Sequence, residues 1–476
     1  MENAPFSLFT YNGYTRMKTL RTLALISSVF ATGCASYSNS SFVNQIDTHY
    51  SAGQFEQSAL YIEKKLDLYE EAEQTLKPVA PNAGDVLMHL EAGENWRLSG
   101  NLERSIAHYD AVEELLKTED TEGVGKKVAE GAGSALVNDT LRSYDPASSE
   151  RILTNYYKAM SFWAQGNADF ARVEFNRANE RARIAVEDNA DKIAEQQEEE
   201  TKLDDKERSK LTSKIEEKFP SMANWAVFED FLNPAVAYTN ALFLASSSNS
   251  DISKAQDLMV RVRGMIGENP VVDDDLTNLS NYSRLTNGSP AWWIIYESGL
   301  SPTLTEKSFA IPFIWSGNLI TANIALPELT PRWTGLTTNG VTLNGAAVNF
   351  STLATMERVL QTEFKTRWPA TVTRAVITAT TKAVLQQQMG KELGILGNLA
   401  GLAYSAATTT ADTRTWRSMP EAWHVAKLPA TQLSTLRIPY GLGLFSDVEL
   451  PNNTNALVYI KQPAPNAKPY IEVIQL

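Results

Sequence analysis

Cysteine is all but missing: Cys34 is the only one in 476 residues, so no disulfide can form within the chain. Histidine is almost as scarce. His49, His89, His108 and His424 include no pair at metal-ligand spacing, and three of them fall in helical stretches where a groove or surface role is expected. No Gly-x-Ser-x-Gly elbow occurs, and "MGKEL" has Gly390 and Lys391 but Leu385 where a phosphate-binding loop has its first glycine. Positive charge is short: 43 Lys and Arg stand against 56 Asp and Glu, for a formal charge of −13. Such a surface repels phosphate backbones, which excludes nucleic acid as an expected partner. Long apolar runs are lacking as well. Leu23 to Phe30 is too short to span a bilayer. The uncharged stretch 393–411 is diluted by Asn398 and several Ser and Thr residues, and with Gly390, Gly394, Gly397 and Gly401 along one face it reads as a buried, tightly packed helix. These absences leave no catalytic residue, cofactor or metal ligand to name, and no enzyme is expected.

What is present begins at residues 17–40, "MKTLRTLALISSVFATGCASYSNS". Lys18 and Arg21 form a positive region, Leu23 to Phe30 an apolar one, and Ala31, Thr32 and Gly33 a small-residue approach to Cys34, which together describe an export signal. Residues 1–16 carry Glu2 and no apolar run, and they push the signal inward, so translation is expected to start at Met17. "FATGC" resembles the lipobox of bacterial lipoproteins, with Ala31 where Leu is more usual. The resemblance implies that residues 1–33 are removed and that Cys34 is lipidated and heads the mature chain. With Ala35 and Ser36 after it and no Asp, it also implies an outer-membrane anchor facing the periplasm, with residues 34–44 as a short tether. An ordinary secretory peptide with an unused cysteine is the alternative.

A glycine recurs at Gly53, Gly100 and Gly166 in "AGQFEQSALYIEK", "SGNLERSIAHYDAVE" and "QGNADFARVEFNRANE". Five residues on stand Ser58, Ser105 and Ala171; nine on stand Ile62, Tyr109 and Phe175. A weaker copy has Ser250 for the glycine, then Ala255, Met259 and Val262. A turn glycine, a small residue where helices approach, and a large apolar residue in the groove describe antiparallel helix pairs. The pattern resembles the tetratricopeptide repeat over residues 45–265, best at Ala159, Phe162, Gly166, Ala171, Phe175 and Ala178, although the glycines lie 47 and 66 residues apart rather than 34. An unrelated helical bundle is the alternative, and either way residues 45–285 are expected to be all-helical. Within them the densely charged stretch near 185–218 is expected to fold back near "KLDDK" as a helical arm.

From residue 286 to 476 the texture changes. "SPAWWIIYESGLSPTLTEKSFAIPFIW" reads as two strands and a turn, and Asn344-Gly345 as a hairpin. Ser351 is expected to cap a helix that Pro369 interrupts, a second helix follows from Ala370 to Ala407, and four short strand candidates close the chain. The fold class is therefore α+β, a tetratricopeptide-like helical domain followed by short antiparallel strands around an inserted long helical segment. The motifs "YESGLSP" (Glu297, Gly299, Pro302) and "ADTRTWRSMP" (Asp412, Arg414, Trp416) are similar to those of a family of bacterial envelope lipoproteins, a resemblance that implies no particular activity. Arg374 and Lys382 on the helix, with Asp412, Arg414 and Trp416 after it, are either structural ion pairs or a pocket for an anionic ligand or a partner's carboxylate. The expected function is a lipid-anchored periplasmic scaffold that binds a protein partner in envelope assembly. A cell-wall hydrolase or an export accessory is the alternative.

Overall fold

The computed structural model describes residues 40–130, 144–197, 205–228, 231–247, 251–281, 285, 288–315 and 317–476. Cys34, its signal and most of the tether lie outside them. Helices come first: α1 (Ser40–Ser51), α2 (Phe55–Lys65), α3 (Val86–Leu98), α4 (Leu102–Glu130), α5 (Ser148–Ala164) and α6 (Ala168–Gln197). α7 (Asp205–Glu216), α8 (Pro234–Ser247), α9 (Ile252–Ile266) and α10 (Pro270–Asn281) follow. A small hairpin, β1 (Tyr69–Glu70) with β2 (Thr75–Leu76), interrupts the helices between α2 and α3.

The recurring glycines each close a helix in the same way. Gly53, Gly100 and Gly166 have φ of +72°, +89° and +75°. Their N–H groups donate to the carbonyls of Tyr50, Arg97 and Trp163, and the next residues, Gln54, Asn101 and Asn167, donate to His49, Trp96 and Phe162. This is the paired-bond termination in which glycine supplies the left-handed residue. Asn101 and Asn167 then cap the following helix, accepting from the N–H groups of Arg104 and Phe170. The pairs α1/α2, α3/α4 and α5/α6 are thus built by one local device. Ser58, Ser105, Ala171, Ile62, Tyr109 and Phe175 are buried between them, as are Ala255, Met259 and Val262 of α9.

The strands make two larger sheets. One has the order β13 (Tyr470–Gln475), β12 (Ala456–Gln462), β3 (Ala291–Ser298), β9 (Ala422–Pro429), β8 (Ser351–Thr355); the other β11 (Leu444–Leu450), β10 (Ser434–Tyr440), β6 (Thr342–Leu343), β7 (Ala346–Ala347). Trp293, Ile295, Trp423, Val425, Leu457 and Tyr459 on one face of the first sheet share a core with the helices. Trp292, Ile294, Tyr296, Val458 and Ile460 on its other face pack against Leu436, Ile438 and Leu450 of the second. The result is three layers, helix, sheet and sheet. Because β3 is covered on both faces, its first six residues, Ala291 to Tyr296, run apolar without alternation.

Several expectations change here. The strands are not all antiparallel: β12 lies parallel to β3. The segment 291–315 does give two strands, but β3 joins the first sheet while β4 (Thr303–Trp315) pairs only with β5 (Asn318–Thr330) in a separate ribbon. Ser351 opens strand β8 and caps nothing, since "STLAT" pairs with β9. Pro369 does not break the helix either. It lies inside α11, Met356–Thr408, which is inserted between the paired strands β8 and β9. Trp368 beside it packs on Phe219 (4.6 Å) and Phe364 (5.4 Å), and this burial offsets the lost hydrogen bond. The Asn344-Gly345 turn is as expected, with φ of +50° and +84° between β6 and β7.

The helical arm is more than a charged pair. α6 ends at Gln197 and α7 begins at Asp205, and the fold-back expected near "KLDDK" falls largely outside the described residues. Leu211 and Ile215 of α7, Trp368, Val372 and Val376 of α11, and Ile311, Phe313, Ala322 and Ile324 of the ribbon form a core of their own. α11 itself is bent. A straight helix from Glu363 to Thr408 would run about 68 Å. Yet Glu363 accepts from Ser149, Glu150 beside it accepts from the Trp416 N–H, and the chain from Thr408 to Trp416 reaches at most about 28 Å.

Candidate functional site

Charged side chains concentrate where the helices meet the first sheet. On α3, Glu91, Glu94 and Arg97 recur every third residue and share a face turned to the sheet, and all are buried. Arg97 forms a fork with Glu94 (2.8 Å for both bonds) and donates to the Tyr459 hydroxyl (2.9 Å). Lys461 of β12 donates to Glu94 (2.6 Å) and the Ser418 carbonyl (3.1 Å), and sits 3.3 Å from Glu297 of β3. Glu297 in turn accepts from Tyr157 of α5 and Trp423 of β9, both at 2.9 Å. Two carboxylates and two cations thus cancel inside the protein. Burial drives the Glu94 carboxyl up, but Arg97 and Lys461 together bring it below the usual carboxylate range.

The two sequence motifs lie side by side. The Glu421 N–H donates to the Ser298 carbonyl (2.8 Å) and the Ser301 N–H to Met419 (2.9 Å), while the Glu421 side chain fills the space a Cβ on Gly299 would need. Acids from α3, α5 and β4 grip the segment 411–418 along its backbone. Glu150 accepts from the Trp416 N–H (2.7 Å), Glu91 from the Arg417 N–H (2.7 Å) and the Ser418 hydroxyl, and Glu306 from the Ala411 N–H (2.8 Å). Trp416 is buried edge-on between Tyr109 and Tyr157. Asp412 and Arg414 pair with each other, with Arg414 also over the Tyr144 ring. Arg417 binds Asp47 of α1 and Thr303 at the foot of the ribbon (2.7 Å). Lys382 is buried and Arg374 half-buried on α11, and both are engaged with partners rather than free. Asp412, Arg414 and Trp416 therefore come together, as parts of an interior fastening.

Two clusters resemble chemistry. His424 Nε2 lies 3.0 Å from the Ser298 hydroxyl and Nδ1 3.2 Å from Thr352. Burial lowers His424 to about 4, which makes it a weak base near neutrality. Ser298 is buried, and the neighbouring Gly299 and Ser301 N–H groups are spent on Gln462 and Met419, so neither serves as an oxyanion donor. The second cluster is His89 and His108, whose Nδ1 atoms meet at 2.9 Å, with Glu63 2.9 Å from His108 Nε2. Burial lowers both rings, His89 to about 3. With both neutral, His108 donates to Glu63 and accepts from His89, whose Nε2 is left buried without a hydrogen bond. Among the described residues no group of His, Cys, Asp and Glu could hold a metal ion, and no helix is long and apolar enough to cross a membrane.

The chain matches no family model, no curated protein and no solved structure. The site thus stands on its own geometry. Sequence reasoning had overlooked Glu91, Glu94, Arg97, Glu150 and Lys461, because acids are common in this chain. The available signals were the three-residue spacing in α3 and a lone Lys461 in the apolar run "ALVYIKQ".

Proposed function

We propose that the protein is an outer-membrane lipoprotein, anchored through Cys34 and facing the periplasm, that serves as a rigid scaffold for a protein partner in envelope assembly. The observation that carries this reading is the glycine-turned helix pair, made three times with the same bonds and fastened to the sheet by buried charges. We read these pairs as tetratricopeptide-like, a repeat whose stacked surfaces bind peptides and domains by packing and polar contacts without chemistry. The turns of the second and third pairs, Ser99, Asn101, Glu103 and Gln165, line an open surface depression suited to such a contact. The "FATGC" motif and the start of α1 at Ser40 support a scaffold held close to the lipid surface.

The test is in-cell photocrosslinking from positions 103 and 165. A discrete protein adduct at both, lost when Cys34→Ser removes the anchor, is the expected result. Absence of any adduct from either position contradicts the scaffold reading.

A further inference from the structure

The β4–β5 ribbon is not explained by the scaffold reading. It belongs to neither large sheet, and residues 308–327, most of its length, hold no Asp, Glu, Lys or Arg. Its last charges are Lys307 and Glu328, paired at 2.6 Å near the foot. Among the described side chains, Phe313 and Ile320 are the outermost that pack inward on α7 and α11. Beyond them Ile314 and Leu319, opposite each other in register, stand 53% and 74% exposed. The outward face behind them, Ala310 and Pro312, is exposed and uncharged too.

We propose that the end of this ribbon inserts into the headgroup boundary of a lipid bilayer. The residue pairs beyond Phe313 and Ile320 extend about 7 Å, which matches the roughly 5–10 Å to which interfacial segments bury their apolar side chains. The Lys214 ammonium, exposed and 3.3 Å from the Pro312 carbonyl, sits just behind the tip at the level of lipid phosphates. In a chain of net charge −13, an acid-free projection with a basic residue at its collar is the part an anionic membrane surface would accept. A strand-adding protein fits less well. Pro312 and Pro327 each remove an outward N–H from the strand edges, which blunts pairing by another chain. The proposal adds a second membrane contact to the lipid on Cys34 and does not depend on that lipid.

The test uses the full chain with Cys34→Ser, which leaves one introduced cysteine as the only thiol. An environment-sensitive fluorophore is placed on Ile314→Cys, on Leu319→Cys or, at the ribbon's foot, on Thr305→Cys, and each protein is mixed with phosphatidylcholine vesicles containing phosphatidylglycerol. Emission at positions 314 and 319 should shift to the blue and be quenched at least twofold more by nitroxide lipids than emission at 305. Equal responses at all three positions, or none at 314 and 319, overturn the proposal. So does a blue shift at 314 that occurs without vesicles and grows with protein concentration, which would assign the tip to a second copy of the chain. A positive result here alongside persistent acylation of the Cys34→Ser protein would sink the anchor assignment and leave the ribbon proposal standing.

Discussion

Protonating His424 would place a charge between Ser298 and Thr352 in a half-buried position, and burial already holds this ring near 4 against an ordinary 6.5. The folded state therefore refuses a proton that the unfolded chain accepts. Stability from a neutral buried histidine is intact above pH 6.5 and is lost as pH falls from there towards 4. Removing the histidine removes that loss. His424→Gln should gain on the wild type by about 2 kcal/mol at pH 5 relative to the difference at pH 8, read from urea unfolding at both pH values. Lys461 gives the opposite kind of test. Lys461→Met leaves Glu94 and Glu297 sharing Arg97 in a dry interior, and losing one partner of such a network costs about 3–5 kcal/mol. The same denaturation at pH 7 measures it; a loss below about 1 kcal/mol would mean that the network is solvated.

At the scale of elements, the glycine turns separate backbone strain from crowding. Nothing lies within 4 Å of a Cβ placed on Gly100 or Gly166, whereas on Gly53 it would sit 2.9 Å from the Lys468 nitrogen. Gly100→Ala and Gly166→Ala should each cost about 1–2 kcal/mol from the left-handed backbone alone, and Gly53→Ala more, in thermal or urea unfolding of the three variants. These turns were legible in the sequence because their cause is local: one residue needs positive φ, and glycine supplies it. The Asn344-Gly345 hairpin was legible for the same reason. What the sequence hid depends on distant partners. "STLAT" after Phe350 has a helix-capping serine, but β9 pairs with it first. Pro369 ought to end a helix, but Trp368, Val372 and Val376 are buried on both sides of it and hold α11 together. His89 and His108 touch only because α3 and α4 are brought side by side, and no spacing in the chain announces their contact.

For the molecule as a whole, the helices, the five-stranded sheet and the loop 411–418 act as one body joined by buried charge. Asp47 of α1 ties the start of that body to Arg417 in the loop and to Arg332 after the ribbon. Any force or restraint applied upstream of Ser40 therefore enters the frame where the ribbon is rooted. The proposed anchor at Cys34 would act through that connection, and it is the proposal on which the location and the scaffold role both depend. Labelling cells with radioactive palmitate and separating membrane from soluble fractions tests it most directly. The wild type should carry label and sediment with the outer membrane, and Cys34→Ser should lose the label and move to the soluble fraction. Label and membrane retention that persist in Cys34→Ser would contradict the account.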